Sequence, residues 1–135
     1  MPFVIDTSVT MAWCFEDEAT DATEQLLDDL RSDNALVPGL WRLEVANVLL
    51  VAERRRRLVE AQSVHFVDLL KRLPIYINDT THDTEATRAA GRQHGLSAYD
   101  AAYLLLAERF GCPLATLDSR LTDACRAVGV PLALP

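Results

Sequence analysis

Phe3-Val4-Ile5-Asp6-Thr7-Ser8 is three apolar residues followed by three that cap helices. A short apolar run without polar alternation reads as a strand buried on both faces. Asp, Thr and Ser accept hydrogen bonds from the open N–H groups of a helix start. The stretch therefore predicts a strand that runs straight into a helix, with a carboxylate at the junction. The same unit returns late in the chain, where Pro113-Leu114-Ala115-Thr116-Leu117 leads into Asp118-Ser119. Ala35-Leu36-Val37, closed by Pro38-Gly39, and Ile75-Tyr76-Ile77 give two more strands, and 131–134 a candidate fifth. Helices are predicted over 9–15, 20–31, 40–53, 59–73, 81–94, 97–110 and 119–128, several of them ended by Gly95, Gly111 or Gly129. Alternating strands and helices predict an α/β fold: one three-layer domain over 1–135, with a mostly parallel sheet of four to five short strands and helices on both faces.

Composition narrows the class. The chain has 135 residues, half of them apolar, enough for one domain with its own core. No apolar run approaches the roughly 18 residues of a membrane span. The N-terminus meets Asp6 without a basic region, so no secretory signal is expected and a cytoplasmic location is. Cys14, Cys112 and Cys125 form no Cys-x-x-Cys pair and read as buried free thiols; His65, His82 and His94 lack ligand spacing and read as surface or cap residues. The net charge of −7 argues against a protein that holds nucleic acid by bulk positive charge. The acidic turn Glu16-Asp17-Glu18 reads as solvated, and the arginine run 54–57 as a solvated helix end or as a contact for RNA or an acidic partner.

Four carboxylates stand out from that background. Asp6 and Asp118 follow strands, and ligands of open α/β sheets bind beyond the carboxyl ends of strands. Asp100 lies three residues after Ser97 at a helix start, a capping-box pattern. Each of these three has a plain capping explanation. Glu44 has none: between Leu40 and Ala52 only Arg42, Glu44 and Asn47 are polar, so the helix is expected to be covered nearly all round. Glu44 then needs a partner charge, such as Arg42, or a cation. Carboxylates at helix N-termini stay ionised and suit hard cations that take oxygen ligands, Mg²⁺ and Mn²⁺ among them. Such ions support in-line phosphoryl displacement without a His base.

In this order the motifs Val4-Ile5-Asp6-Thr7-Ser8, Glu44 in Trp41-Arg42-Leu43-Glu44-Val45-Ala46-Asn47, Ser97-Ala98-Tyr99-Asp100-Ala101-Ala102-Tyr103 and Leu114-Ala115-Thr116-Leu117-Asp118 resemble the PIN-domain ribonucleases, and most of all the VapC toxins of toxin–antitoxin pairs. The resemblance covers essentially the whole chain. It implies an endoribonuclease toxin that uses one or two Mg²⁺ or Mn²⁺ ions and leaves a 5′-phosphate. It implies that Asp6, Glu44, Asp100 and Asp118 form the catalytic, metal-binding pocket, with Asp6, Asp100 and Asp118 as direct ligands and Glu44 ligating or orienting a water. Thr7, Ser8 and Thr116 would be hydroxyls that hold those carboxylates. It further implies a homodimer and a VapB-type antitoxin whose C-terminal segment fills a groove. Met11, Trp13, Phe15 and Trp41 would contribute to that groove wherever the core leaves them exposed. Two rivals remain: a PIN-like protein-interaction module with little catalysis, and a Mg²⁺-binding phosphotransfer or receiver-like domain. The spread of the acids over strand and helix ends suits neither a single phospho-acceptor Asp nor an Asp-based phosphatase.

Overall fold

In the computed structural model, residues 1–80 and 83–135 are described. Four strands, β1 (Phe3–Ile5), β2 (Ala35–Val37), β3 (Ile75–Ile77) and β4 (Leu114–Ala115), form one all-parallel sheet in the order β3-β2-β1-β4. Among the described residues there are seven α-helices: α1 (Thr7–Ala12), α2 (Asp21–Asp29), α3 (Leu40–Arg54), α4 (Glu60–Arg72), α5 (Thr84–His94), α6 (Ala98–Phe110) and α7 (Ser119–Val128). The chain builds outward from β1 to β3 on one side and returns to add β4 on the other. The switch in direction lies between β1 and β4, where an open α/β sheet leaves a crevice.

Strands β1 and β4 are buried throughout. Phe3, Val4, Ile5, Leu114 and Ala115 are all inside, which is why β1 reads as a continuous apolar run. Helix α6 packs on β1 and β4 with Ala101 to Leu104, Leu106 and Ala107 buried, and α5 lies along it. Glycines 95 and 111 stop α5 and α6 in the left-handed region at φ 65° and 61°, where a side chain would be strained.

Several expectations need correction. The candidate fifth strand is a single parallel bridge from Leu114 to Leu132, since Pro131 has no N–H to continue a ladder. The helix expected over 81–94 is seen from Thr84; its first residues, and the surface role expected of His82, lie outside the described residues. Helix α3 is not covered all round: Trp41, Val45, Leu49 and Ala52 make a buried stripe, while Leu43 is 76% exposed. Met11 and Phe15 are core, and Trp41 is buried with its indole N–H on Thr10 Oγ1 at 2.9 Å. Nor is the acidic turn simply solvated. Arg57 Nη2 reaches Asp17 at 2.7 Å and Glu18 at 2.9 Å, with its guanidinium 3.7 Å over the Phe15 ring. Arg54, Arg55 and Arg56 are exposed. Cys112 and Cys125 are buried free thiols, and Cys14 is half-buried.

Candidate active site

Asp6 follows β1 directly and caps α1, its Oδ1 accepting from the Val9 N–H at 3.1 Å. Ser8 Oγ donates to the same oxygen at 2.6 Å, and Thr116 Oγ1 donates to Oδ2. Both hydroxyls also accept backbone bonds: Ser8 Oγ from Leu117 N and Thr116 Oγ1 from Asp118 N, each at 3.0 Å. The turn after β1 and the turn after β4 are thus clasped together around one carboxylate. Asp6 is only 4% exposed. Burial lifts its pKa from 3.8 to about 6, the Asp100 charge adds to the rise, and the three hydrogen bonds oppose it.

Glu44 lies half-buried on α3. Its partner is not Arg42 but two hydroxyls, both on Oε1: Thr7 Oγ1 at 2.9 Å and Tyr103 OH at 2.6 Å. The two hydroxyl oxygens are themselves 3.0 Å apart. Asn47, three residues on from Glu44, is exposed. Tyr103 is 1% exposed, and its pKa is raised, first by burial and then by the Glu44 hydrogen bond, so the phenol keeps its proton. Nothing in the sequence pattern singles out the Tyr103 hydroxyl. An aromatic residue in an apolar helix scores as core, and only its single oxygen carries the signal.

Asp100 stands in the first turn of α6, where Ser97 Oγ accepts from its backbone N–H at 3.1 Å. Its carboxyl is pushed up by burial, then by the charges of Asp118 and Glu44, with the Ser97 hydroxyl opposing. Asp118 caps α7, its Oδ1 taking the Leu121 N–H at 3.0 Å. Asp100 thus links the acids: its charge acts on Asp6, and the charges of Asp118 and Glu44 act on it.

Their donor chemistry suits a hard divalent cation: four carboxylates, no sulfur or imidazole, and mutual repulsion that a cation would relieve. Among the described residues no three acidic, His or Cys side chains are positioned to hold an ion by themselves. Mg²⁺ keeps several of its waters and is commonly bound through one or two carboxylates, so the acids still fit it.

The PIN domain family model matches residues 3–127. The chain belongs to the PIN-domain family. Among its PIN relatives, ribonuclease VapC9 of Mycobacterium tuberculosis is 32% identical over 116 residues, spanning 82% of this chain and 90% of that one. Ribonuclease VapC3 of Pyrobaculum aerophilum is 29% identical over 133 residues, 97% of this chain and all of the other. Two solved structures share the PIN fold. PAE2754 from Pyrobaculum aerophilum superposes with a TM-score of 0.70 at 22% identity, covering 92% of this chain and 87% of that one. VapBC2 from Rickettsia felis, bound to a DNA fragment from its promoter, gives 0.65 at 13% identity, with 98% and 96% covered. PIN membership sets aside the receiver-like rival.

Proposed function

We propose that this protein is a Mg²⁺- or Mn²⁺-dependent endoribonuclease toxin of the VapC type, acting as one domain over 1–135, in the cytoplasm, as a homodimer. A VapB-type antitoxin would neutralise it. The relatives named ribonucleases support RNA as the substrate. The observation that carries the site is Asp6, buried, lifted to about 6 and clasped by Ser8 and Thr116 at the sheet's switch point, with the Asp100 charge acting on it and the charges of Asp118 and Glu44 acting on Asp100. Its three hydrogen bonds oppose the cost of burial without cancelling it, and a bound cation would offset the remainder.

Asp6, Asp100 and Asp118 would hold the ion, and Glu44 would hold it or orient water. A bound cation supplies charge neutralisation at the scissile phosphate and a water acidic enough to attack at neutral pH. The chain's own residues set the geometry. Ser8, Thr116 and the Val9 N–H fix both oxygens of Asp6. Helix α7 places its positive N-terminus under Asp118. No helix is long and apolar enough to cross a membrane among the described residues.

Antitoxin capture has surface to use. Of the residues expected to form its groove, Met11 and Phe15 are core, while Trp41 lines an apolar groove of about 350 Å³ between α3, α4 and β3, with Val45, Val67 and Ile77 beside it and Arg42 and Lys71 among its charged neighbours. Such a groove suits an apolar helical or extended segment.

Mapping cleaved ends on total RNA with and without chelator tests the proposal. Discrete chelator-sensitive ends are expected. Intact RNA at every metal concentration would favour the protein-interaction reading.

A further inference from the structure

Helix α6 carries two groups of opposite character on one side. Asp100 and Tyr103 are three residues apart, so their side chains lie on neighbouring positions of the same face. One is a site carboxylate; the other ends in a buried hydroxyl directed at a carboxylate on another helix. The turn after β1 repeats the arrangement at shorter range, where Asp6 is followed at once by Thr7, whose hydroxyl also goes to Glu44. Glu44, on α3, is therefore gripped from the two segments that supply Asp6 and Asp100. Its partners are 37 and 59 residues away in sequence, so no local turn or cap accounts for the grip.

The grip is also one-sided. Both hydroxyls meet Oε1, and no donor to Oε2 is present among the described residues. The terminal torsion of a glutamate is soft, so a carboxylate without donors would sample a wide arc. Two donors on one oxygen fix that torsion and leave the second oxygen to face other chemistry. The shape of Tyr103 matters too. Its ring is packed in the core, so the hydroxyl cannot swing away, and a buried hydroxyl must have a partner.

We propose that Tyr103 is a positioning residue for Glu44: with Thr7 it occupies Oε1, fixes the carboxylate plane and leaves Oε2 as the oxygen that serves the reaction. This rests on the reading of Glu44 as part of the nuclease site. Tyr103 acts only through Glu44, which makes it separable from residues that touch the ion or the RNA.

The test is a double-mutant cycle with Tyr103→Phe, Glu44→Gln and the pair, read both by steady-state cleavage of one RNA and by thermal melting without metal. Tyr103→Phe keeps the ring and its packing, so the variant folds. It is expected to lower kcat by about 10- to 100-fold, the usual effect of losing a residue that orients a metal-site ligand, with KM little changed. In the Glu44→Gln background the same substitution should leave kcat as it is, and the two melting shifts should be non-additive. Wild-type kcat in Tyr103→Phe beside an impaired Glu44→Gln overturns the proposal alone. So do multiplying losses of rate, or additive melting shifts. Wild-type kcat in Glu44→Gln overturns the reading of Glu44 as a site residue, and the proposal falls with it.

Discussion

The four carboxylates divide into two pairs held in different ways. Asp6 and Glu44 are gripped by hydroxyls from remote parts of the chain: Thr116, 110 residues from Asp6, and Tyr103, 59 from Glu44. Among the described residues, Asp100 and Asp118 are held near their own helix starts: the Asp100 N–H on Ser97 Oγ and the Asp118 carboxylate on the Leu121 N–H, each three residues away, and the Asp118 N–H on Thr116 Oγ1, two residues away. The first pair cannot be placed until the sheet and three helices have assembled. The second is placed as soon as its helices form. The site thus combines a rigid half, which sets position, with a half whose side chains keep freedom to adjust to an ion and a phosphate.

The largest predicted effect isolates the rigid half. Asp6 has a folded pKa of about 6 against an ordinary 3.8, so the folded state binds its proton more tightly than the unfolded chain does. Stability from this group is fully present below about pH 4 and is lost as pH rises through 6, a change on the order of 3 kcal/mol in the metal-free protein. Asn keeps the cap and cannot ionise. The difference in stability between Asp6→Asn and wild type should therefore grow in favour of the variant from pH 4.5 to 7.5, as read by thermal or urea unfolding. A difference that stays flat across that range means Asp6 is not buried as a charge.

A divalent ion should reverse that penalty. At 100 times its Kd, Mn²⁺ that binds only the folded state adds about 2.7 kcal/mol. Wild-type melting should rise with Mn²⁺, and Asp6→Asn should respond much less. An equal response in both proteins would detach the ion from the rigid half.

Two hydroxyl deletions sharpen the contrast at smaller scale. Thr116→Val removes the donor to Asp6 and the acceptor of the Asp118 N–H, so it should cost about 1–3 kcal/mol and about 10- to 100-fold in cleavage rate. Ser97→Ala removes a helix cap, at a cost of about 1 kcal/mol, together with the hydroxyl that opposes the rise of the Asp100 carboxyl, and should leave cleavage within a few-fold of wild type. If the two variants lose activity equally, the division into remote and local support fails.

What the sequence disclosed follows the same line. Local signals were readable: the unbroken apolar run of β1, the caps at Ser97 and Asp118, and the stop at Gly111 all appear where the pattern put them. The candidate site residues were nameable because an acid after a strand or inside an apolar helix is conspicuous. Signals that depend on packing were not readable. Nothing in residues 40–54 says that the Leu43 side of α3 is bare, because an apolar residue reads alike on either face. Tyr103 looks like core and is core; its second task depends on an oxygen that meets Glu44 only in the folded chain. The 131–134 segment had strand-like composition, yet Pro131 and a single bridge set its limit.

The central claim, that these carboxylates form one metal-dependent RNA-cleaving site, is tested most directly by incubating RNA with Mn²⁺ and purified, folded wild-type or Asp6→Asn protein. The account predicts cleavage by wild type, its loss on chelation, and intact RNA with Asp6→Asn. Cleavage by Asp6→Asn at the wild-type rate would contradict it.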